Sequence, residues 1–184
     1  MGHHTFPVER ADALEDPSRY RYCSREELLE ALALAGSETV ADLGSGTGFY
    51  TDDVAPFAAT VYGVDVQSEM HEVYREKGVP SNVDLVTAEV ADLPFEDDEL
   101  DAAFSTMTYH EFASSSALAE LRRVLAPGSR LVTVDWSANG DGESGPSTDE
   151  RYALADARRA LEDAGFVIEA ASERPETFRV TTTA

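Results

Sequence analysis

The stretch VADLGSGTGFY, residues 40–50, limits what this chain can fold into more than any other. A short apolar run ends in Asp42, and glycines then occupy alternate positions, Gly44, Gly46 and Gly48, with Ser45 between the first two. Glycine is needed where a backbone takes positive φ or lies directly against another group, and a glycine-rich turn into a helix presents bare peptide N–H groups. The spacing predicts a strand leading in, a helix leading out and a nucleotide-like ligand resting on main chain. A tight turn between packed elements is the plainer alternative. Asp42 narrows the ligand, because a carboxylate beside the loop repels phosphate at low dielectric and favours positive charge.

The rest of the chain alternates strand and helix around that turn. Ser24 and Glu27 form a capping-box pattern that opens a helix over 24–35, with Leu28, Leu29, Leu32 and Ala35 on one face and Gly36 as its stop. Further helices are expected over 48–57, 68–77 and 116–126. A last one runs over 147–164, opened by Ser147 and Glu150. Strands are expected over 40–43, 60–66, 83–87, 100–105 and 130–135, and two closely linked ones over 166–171 and 177–182. The nearly continuous apolar run at 40–43 suits a parallel strand covered on both faces. Asp65 closes the second strand at a spacing from Gly44 that lets a carboxylate accept both hydroxyls of an adenosine ribose. Nicotinamide-dinucleotide sites share that spacing, so it specifies the ribose and not the reaction.

Taken in order, D-L-G-S-G-T-G, V-Y-G-V-D, A-E-V-A-D-L-P-F, D-A-A-F-S-T and L-R-R-V-L-A-P-G-S-R-L-V resemble the successive motifs of class I S-adenosylmethionine-dependent methyltransferases. The resemblance covers residues 31–135 and is strongest to the small-molecule branch that includes the quinone-biosynthesis enzymes. It implies an α/β fold, a Rossmann-like, doubly wound, seven-stranded sheet, mostly parallel with an antiparallel C-terminal hairpin. It also implies S-adenosyl-L-methionine as cofactor and methyl transfer to a small-molecule acceptor. The cofactor contacts it implies are Asp42, Gly44, Ser45, Gly46 and Gly48 at the loop, Asp65 and Val66 after the second strand, and Met70 against the adenine edge. Glu89 would accept from the adenine amino group, the Val90 amide would meet the ring, and Ser105 completes the set. Glu before Val at 89–90 departs from the family's more usual Asp before Ala.

Residues 1–23 read as an N-terminal cover segment ahead of one methyltransferase domain, 24–184. Its aromatic end, Tyr20, Arg21 and Tyr22, is placed to exclude water from a sulfonium ion, with Tyr22 counted among the cofactor contacts; surface packing is the alternative. The run S-T-M-T-Y-H-E-F, 105–112, falls at the carboxyl end of the fourth strand, where doubly wound sheets present reacting groups. Tyr109 and His110 are the candidate catalytic residues. An imidazole near its unperturbed pKa of about 6.5 can take a proton from a hydroxyl or an activated carbon. In the plainer reading, His110 only shapes the pocket. Trp136 is a candidate pocket wall, and residues 137–148, rich in Ser, Gly and Asp, read as a mobile loop over it or as a simple connector. No metal site is expected; His3 and His4 read as a fragment of a ligand set or as a substrate contact.

Two rival functions remain to be weighed. A nicotinamide-dependent oxidoreductase wants Gly-x-Gly-x-x-Gly, but Phe49 stands at the sixth position from Gly44, and Asp42 would face a pyrophosphate. A non-catalytic S-adenosylmethionine-binding protein keeps every cofactor motif and transfers nothing.

Charge excludes other classes. The chain has 184 residues with 36 acidic against 14 basic, for a net charge of −22, and Lys77 is its sole lysine. Such a surface repels nucleic acid and anionic membranes, and its self-repulsion is screened by concentrated salt, which points to a halophilic source. One cysteine, Cys23, permits no internal disulfide, no apolar run is long enough to span a membrane, and the N-terminus lacks a signal-peptide pattern. The expectation is a cytoplasmic protein without a membrane span, acting as monomer or homodimer.

Overall fold

The computed structural model describes residues 5–184. Its centre is β1 (Thr39–Leu43), which pairs in parallel with β2 (Thr60–Asp65) on one side and β4 (Leu100–Thr106) on the other. Val40, Ala41, Asp42 and Leu43 are all buried, as a strand covered on both faces requires. β3 (Val83–Thr87) adds parallel to β2, and β5 (Leu125–Trp136) adds parallel to β4. β7 (Thr177–Thr183) then inserts antiparallel between β5 and β6 (Val167–Glu173), which gives the order β3-β2-β1-β4-β5-β7-β6. The expected seven-stranded, doubly wound sheet with its C-terminal hairpin is therefore present.

Side chains alternate along each strand, so neighbouring positions feed two separate cores. Val40, Phe104, Val132 and Val134 face one layer, made by α1 (Arg25–Leu32), α2 (Phe49–Val54) and α3 (Ser68–Lys77), which contribute Leu28, Leu32, Tyr50, Val54 and Tyr74. Ala41, Leu43, Ala103 and Leu131 face the other, where α5 (Ser115–Val124) and α6 (Leu154–Asp163) bring Leu118, Leu121, Ala157 and Leu161. Between β4 and α5 lies a single helical turn, α4 (Tyr109–Phe112). No helix among the described residues is long and apolar enough to cross a membrane.

Several boundaries differ from expectation for local reasons. Helix α1 stops at Leu32 because Ala33 takes a left-handed conformation, φ 50°, before Gly36 is reached. Ser24 caps it by accepting from the Glu27 N–H at 3.2 Å. The Glu27 carboxylate, however, pairs with Arg174 and Arg179 rather than closing the capping box. The expected 48–57 helix shortens to α2 and a 3-10 turn, Ala55–Phe57, with Gly48 as its cap. Helix α5 ends at Val124, and β5 begins at once: Pro127 and Gly128 are absorbed in a register shift against β4 instead of forming a separate turn. Ser147 and Glu150 do form a capping box, yet it opens only a 3-10 turn, Thr148–Glu150. The chain extends through Arg151 and Ala153 before α6 begins.

Candidate functional site

All the parallel strands point their carboxyl ends to one edge, and the glycine loop crosses that edge after β1. The loop is pinned to β2, since the Gly44 and Ser45 N–H groups both donate to the Val64 carbonyl, at 2.8 and 2.9 Å. Asp65 ties the two strand ends more directly: Oδ2 accepts the Gly46 N–H at 2.8 Å and Oδ1 accepts the Gln67 N–H at 2.9 Å. Two of the three glycines are demanded by the protein's own packing. A Cβ on Gly44 (φ 80°) would lie 2.3 Å from Thr108 Cγ2, and one on Gly48 (φ 83°) would lie 2.1 Å from the Tyr74 ring. Gly48 is therefore spacing for Tyr74 and a cap for α2, a different role from the bare surface for a ligand that the sequence suggests.

Asp42 lies wholly inside. Its Oδ2 accepts from the Thr51 hydroxyl at 2.6 Å, whereas its Oδ1 has no hydrogen-bond partner. Burial pushes its carboxyl up to about 7, and the Thr51 hydrogen bond and the Arg19 guanidinium offset that only in part. Ser45 Oγ and Ser105 Oγ are also buried without a partner. Buried polar atoms are ordinarily satisfied, so three partnerless ones on or just after β1 and β4 make this a candidate ligand site. Nearby Met107, between β4 and α4, takes φ 58°, a strained conformation for a side-chain-bearing residue and one that tends to occur at functional sites.

On the β3 side, Thr87, Ala88, Glu89, Asp92 and Pro94 line an open cavity of about 460 Å³. Glu89 is exposed there; Met70 and Val90 are buried and do not line the cavity, and Val66, just after β2, is 44% exposed. Of the expected cofactor contacts, Asp42, Gly44, Ser45, Gly46, Asp65, Val66 and Glu89 thus lie along the carboxyl ends of β1, β2 and β3.

Tyr22 is held by other partners: its ring meets Trp136 at 4.7 Å and its hydroxyl donates to Ser144 at 2.6 Å, which places it against the 137–147 loop. That loop is anchored rather than free-standing. Arg151, buried, donates to the Pro146, Ser137 and Ser144 carbonyls, pairs with Glu176 at 3.0 Å, and lies over the Trp136 ring. Residues upstream of Tyr22 touch the glycine turn and the start of α3. Leu14 lies against Gly46, the Thr47 hydroxyl donates to Glu15, and the Phe6 carbonyl accepts from Gln67 at 3.1 Å. His3 and His4 lie outside the described residues. Among the described residues no cluster of three or more His, Cys, Asp or Glu could hold a metal ion.

The two candidate catalytic residues separate sharply. Tyr109 is 1% exposed and packs on Phe112, Tyr152 and Phe178, and burial pushes its hydroxyl above the usual phenol range. Its ring is packed as a core residue, because the first turn of α4 rolls it under the sheet edge, while its hydroxyl, like Asp42 Oδ1, is buried without a hydrogen-bond partner. His110, next in sequence, faces the other way. Its backbone N–H donates to Asp135 Oδ2 at 2.6 Å, and its ring Nδ1 lies 3.0 Å from both Asp135 oxygens. Nε2 lies 3.9 Å from Glu111 Oε1. Burial disfavours the charged ring, but Asp135, helped by Glu111 and Glu150, outweighs it and the His110 pKa rises above its ordinary value. Burial pushes Glu111 up to about 7. Sequence reasoning missed Asp135, Glu111 and Arg151. Asp135, next to last in β5, is 25 residues from His110, and only the β4 to β5 register brings them together.

Comparison with known proteins agrees with this geometry. A family model described as a methyltransferase domain matches residues 41–133, half of the chain. A crystal structure of an S-adenosylmethionine-dependent methyltransferase from Aquifex aeolicus superposes with a TM-score of 0.87 at 31% identity, covering 97% of this chain and 98% of that one. A demethylmenaquinone methyltransferase of Corynebacterium kroppenstedtii is 36% identical over 54% of this chain and 42% of its own length. A sterol 4-C-methyltransferase of Caenorhabditis elegans is 26% identical over 76% of this chain and 42% of its own. The chain spans about half the length of the curated relatives it matches. With the sheet order, the glycine turn between two acidic strand ends and these likenesses in agreement, the chain belongs to the S-adenosylmethionine-dependent methyltransferase family.

Proposed function

We propose that this protein transfers the methyl group of S-adenosylmethionine to a small-molecule acceptor by in-line displacement. The single observation that carries this reading is the crevice where Asp42 and Asp65 flank the glycine loop and leave Asp42 Oδ1 and Ser45 Oγ without partners. Residues there suit a cationic adenosyl compound. Asp65 retains lone pairs for ribose hydroxyls, Glu89 lines the open cavity for the base, the exposed Val66 follows the end of β2, and Asp42 with Ser45 and Ser105 offers polar atoms to the amino-acid portion. The donor supplies an already activated methyl group, so the protein's own part is positioning in a dry site, worth about 7–11 kcal/mol in favourable cases. Residues 5–23 act as the cover, with Leu14 and Glu15 placed on the glycine turn. His110 is the group that meets the acceptor.

A small-molecule acceptor is supported by relatives named for quinone and sterol methylation. The net charge of −22 argues against a nucleic-acid acceptor and suits a salt-rich cytoplasm. Calorimetric titration with S-adenosylhomocysteine, NAD and NADP tests the cofactor, with binding expected for the first alone. A screen of metabolites with labelled methyl donor tests the transfer; cofactor binding with no labelled product from any acceptor would overturn the assignment in favour of a non-catalytic binder.

A further inference from the structure

Methyl transfer from a sulfonium moves one positive charge out of the donor. If the acceptor is neutral, that charge must leave as a proton, so the site needs a base whose protonated form is stabilised. The carboxyl ends of β4 and β5 hold such an arrangement. Asp135 is 0% exposed and uses both carboxylate oxygens on one residue, accepting the His110 backbone N–H at 2.6 Å and standing 3.0 Å from Nδ1. A carboxylate only accepts, so Nδ1 carries the ring proton and Nε2 carries the lone pair. Three acidic groups act on this imidazole: Asp135 from β5, Glu111 from the same turn and Glu150 from the 3-10 turn before α6. Thr108, two residues before His110, lies against Gly44 of the glycine loop, which sets the imidazole's turn beside the cofactor crevice.

We propose that Asp135 is the positioning residue that holds His110 with its proton on Nδ1, so that Nε2 deprotonates a neutral, hydroxyl-bearing acceptor. This rests on the methyltransferase reading above and goes further by assigning the acceptor class. The acceptor O–H bond breaks and its proton goes to Nε2. The oxygen's electron pair forms the bond to the methyl carbon, and the pair of the broken S–C bond stays on sulfur as a neutral thioether. The charge lost by the sulfonium reappears as an imidazolium between Asp135 and Glu111. Acceptors carrying a carboxylate or phosphate near the reacting hydroxyl are disfavoured, because they would face those same acidic groups.

The test begins with nitrogen NMR of the His110 ring in the complete chain bound to S-adenosylhomocysteine, assigned with His110→Gln. Expected are a neutral form protonated on Nδ1 and a pKa above 6.5, the latter dropping below 6.5 in Asp135→Asn and kept high in Asp135→Glu. A neutral wild-type ring protonated on Nε2 would overturn the proposal, and so would an unchanged titration in a folded Asp135→Asn; should that variant not fold, the wild-type tautomer decides alone. In the second arm, labelled methyl transfer is measured to catechol and to its carboxylated counterpart 3,4-dihydroxybenzoate. Catechol should be methylated at least tenfold faster, with a rate that rises with pH through the His110 pKa. No transfer to catechol, or equal rates on the two probes, would overturn the acceptor class. Failure to bind S-adenosylhomocysteine would instead remove the underlying reading, so the two failures are distinguishable.

Discussion

Asp65 and Gly46 are joined by a 2.8 Å hydrogen bond from the loop's peptide N–H to the carboxylate Oδ2, so the residue expected to hold the ribose also holds the turn above it. Asp65→Ala should therefore show two losses. Affinity for S-adenosylhomocysteine should fall by about 1.5–3 kcal/mol, tenfold to over a hundredfold, as a charge-assisted hydrogen bond is removed. Two backbone amides also lose their acceptor, so Tm should drop by several degrees in the absence of ligand. Calorimetry and a melting curve read the two separately, and wild-type affinity in the variant would remove Asp65 from the site.

Asp42 makes stability depend on pH in a stated direction. Its folded pKa is raised, from 3.8 to about 7, so the folded state holds a proton that the unfolded chain releases. The stability this contributes is fully present below pH 3.8 and is lost as pH rises through about 7. Glu111, raised from 4.5 to about 7, acts with the same sign. Asp42→Asn, which stays neutral and keeps the shape, should raise Tm at pH 8 and change it much less at pH 5. Equal shifts at both values would contradict the buried, partnerless oxygen as the cause.

Gly48 and Gly36 separate close approach from backbone strain. Both have positive φ, 83° and 100°, but a Cβ on Gly48 would strike the Tyr74 ring at 2.1 Å, while one on Gly36 meets nothing within 4 Å. Gly36→Ala should cost about 1–2 kcal/mol from conformation alone. Gly48→Ala should cost a further 1–3 kcal/mol, roughly, from overpacking. Urea titration of both variants checks the ordering.

Arg151 fixes the 137–147 loop through hydrogen bonds to Pro146, Ser137 and Ser144 and a pairing with Glu176. Arg151→Met should expose that loop to limited proteolysis and lower Tm while leaving S-adenosylhomocysteine affinity within about twofold, since Arg151 lies on the Trp136 side of the sheet edge. Cleavage no faster than in wild type would show that the backbone holds the loop without it.

Charge supplies the last expectation. With 36 acidic residues against 14 basic, repulsion should be relieved as the Debye length falls to about 3 Å at 1 M salt. Tm should rise between dilute buffer and molar KCl; a flat or falling curve would count against the halophilic reading.

Much of this was legible in the sequence because it depends on local pattern. The strands β1 to β4 follow from short apolar runs, and the turn between Asp42 and Gly48 follows from its spacing. The misreadings arise where tertiary packing decides. A left-handed Ala33 ends α1 early, and the 12-residue β5 runs on through Pro127 and Gly128 because Gly128 and Ser129 bond to Ala184 at the chain's other end. Tyr109 and His110 looked equivalent as neighbours, yet one helical turn sends the first into the core and the second to Asp135. No local signal singled out Asp135 or Arg151, since each acquires its role from partners on other elements.

Tyr22 has a consequence for how the molecule can be handled from its ends. Its carbonyl is gripped by Arg174 and Thr177 of the C-terminal hairpin, while its hydroxyl reaches Ser144. The front of the polypeptide and its tail are thus fastened at one aromatic latch. Removing the chain up to and including Tyr22 would take a partner from Arg174, Thr177 and Ser144 at once, slackening the rear hairpin as well as the 137–147 loop.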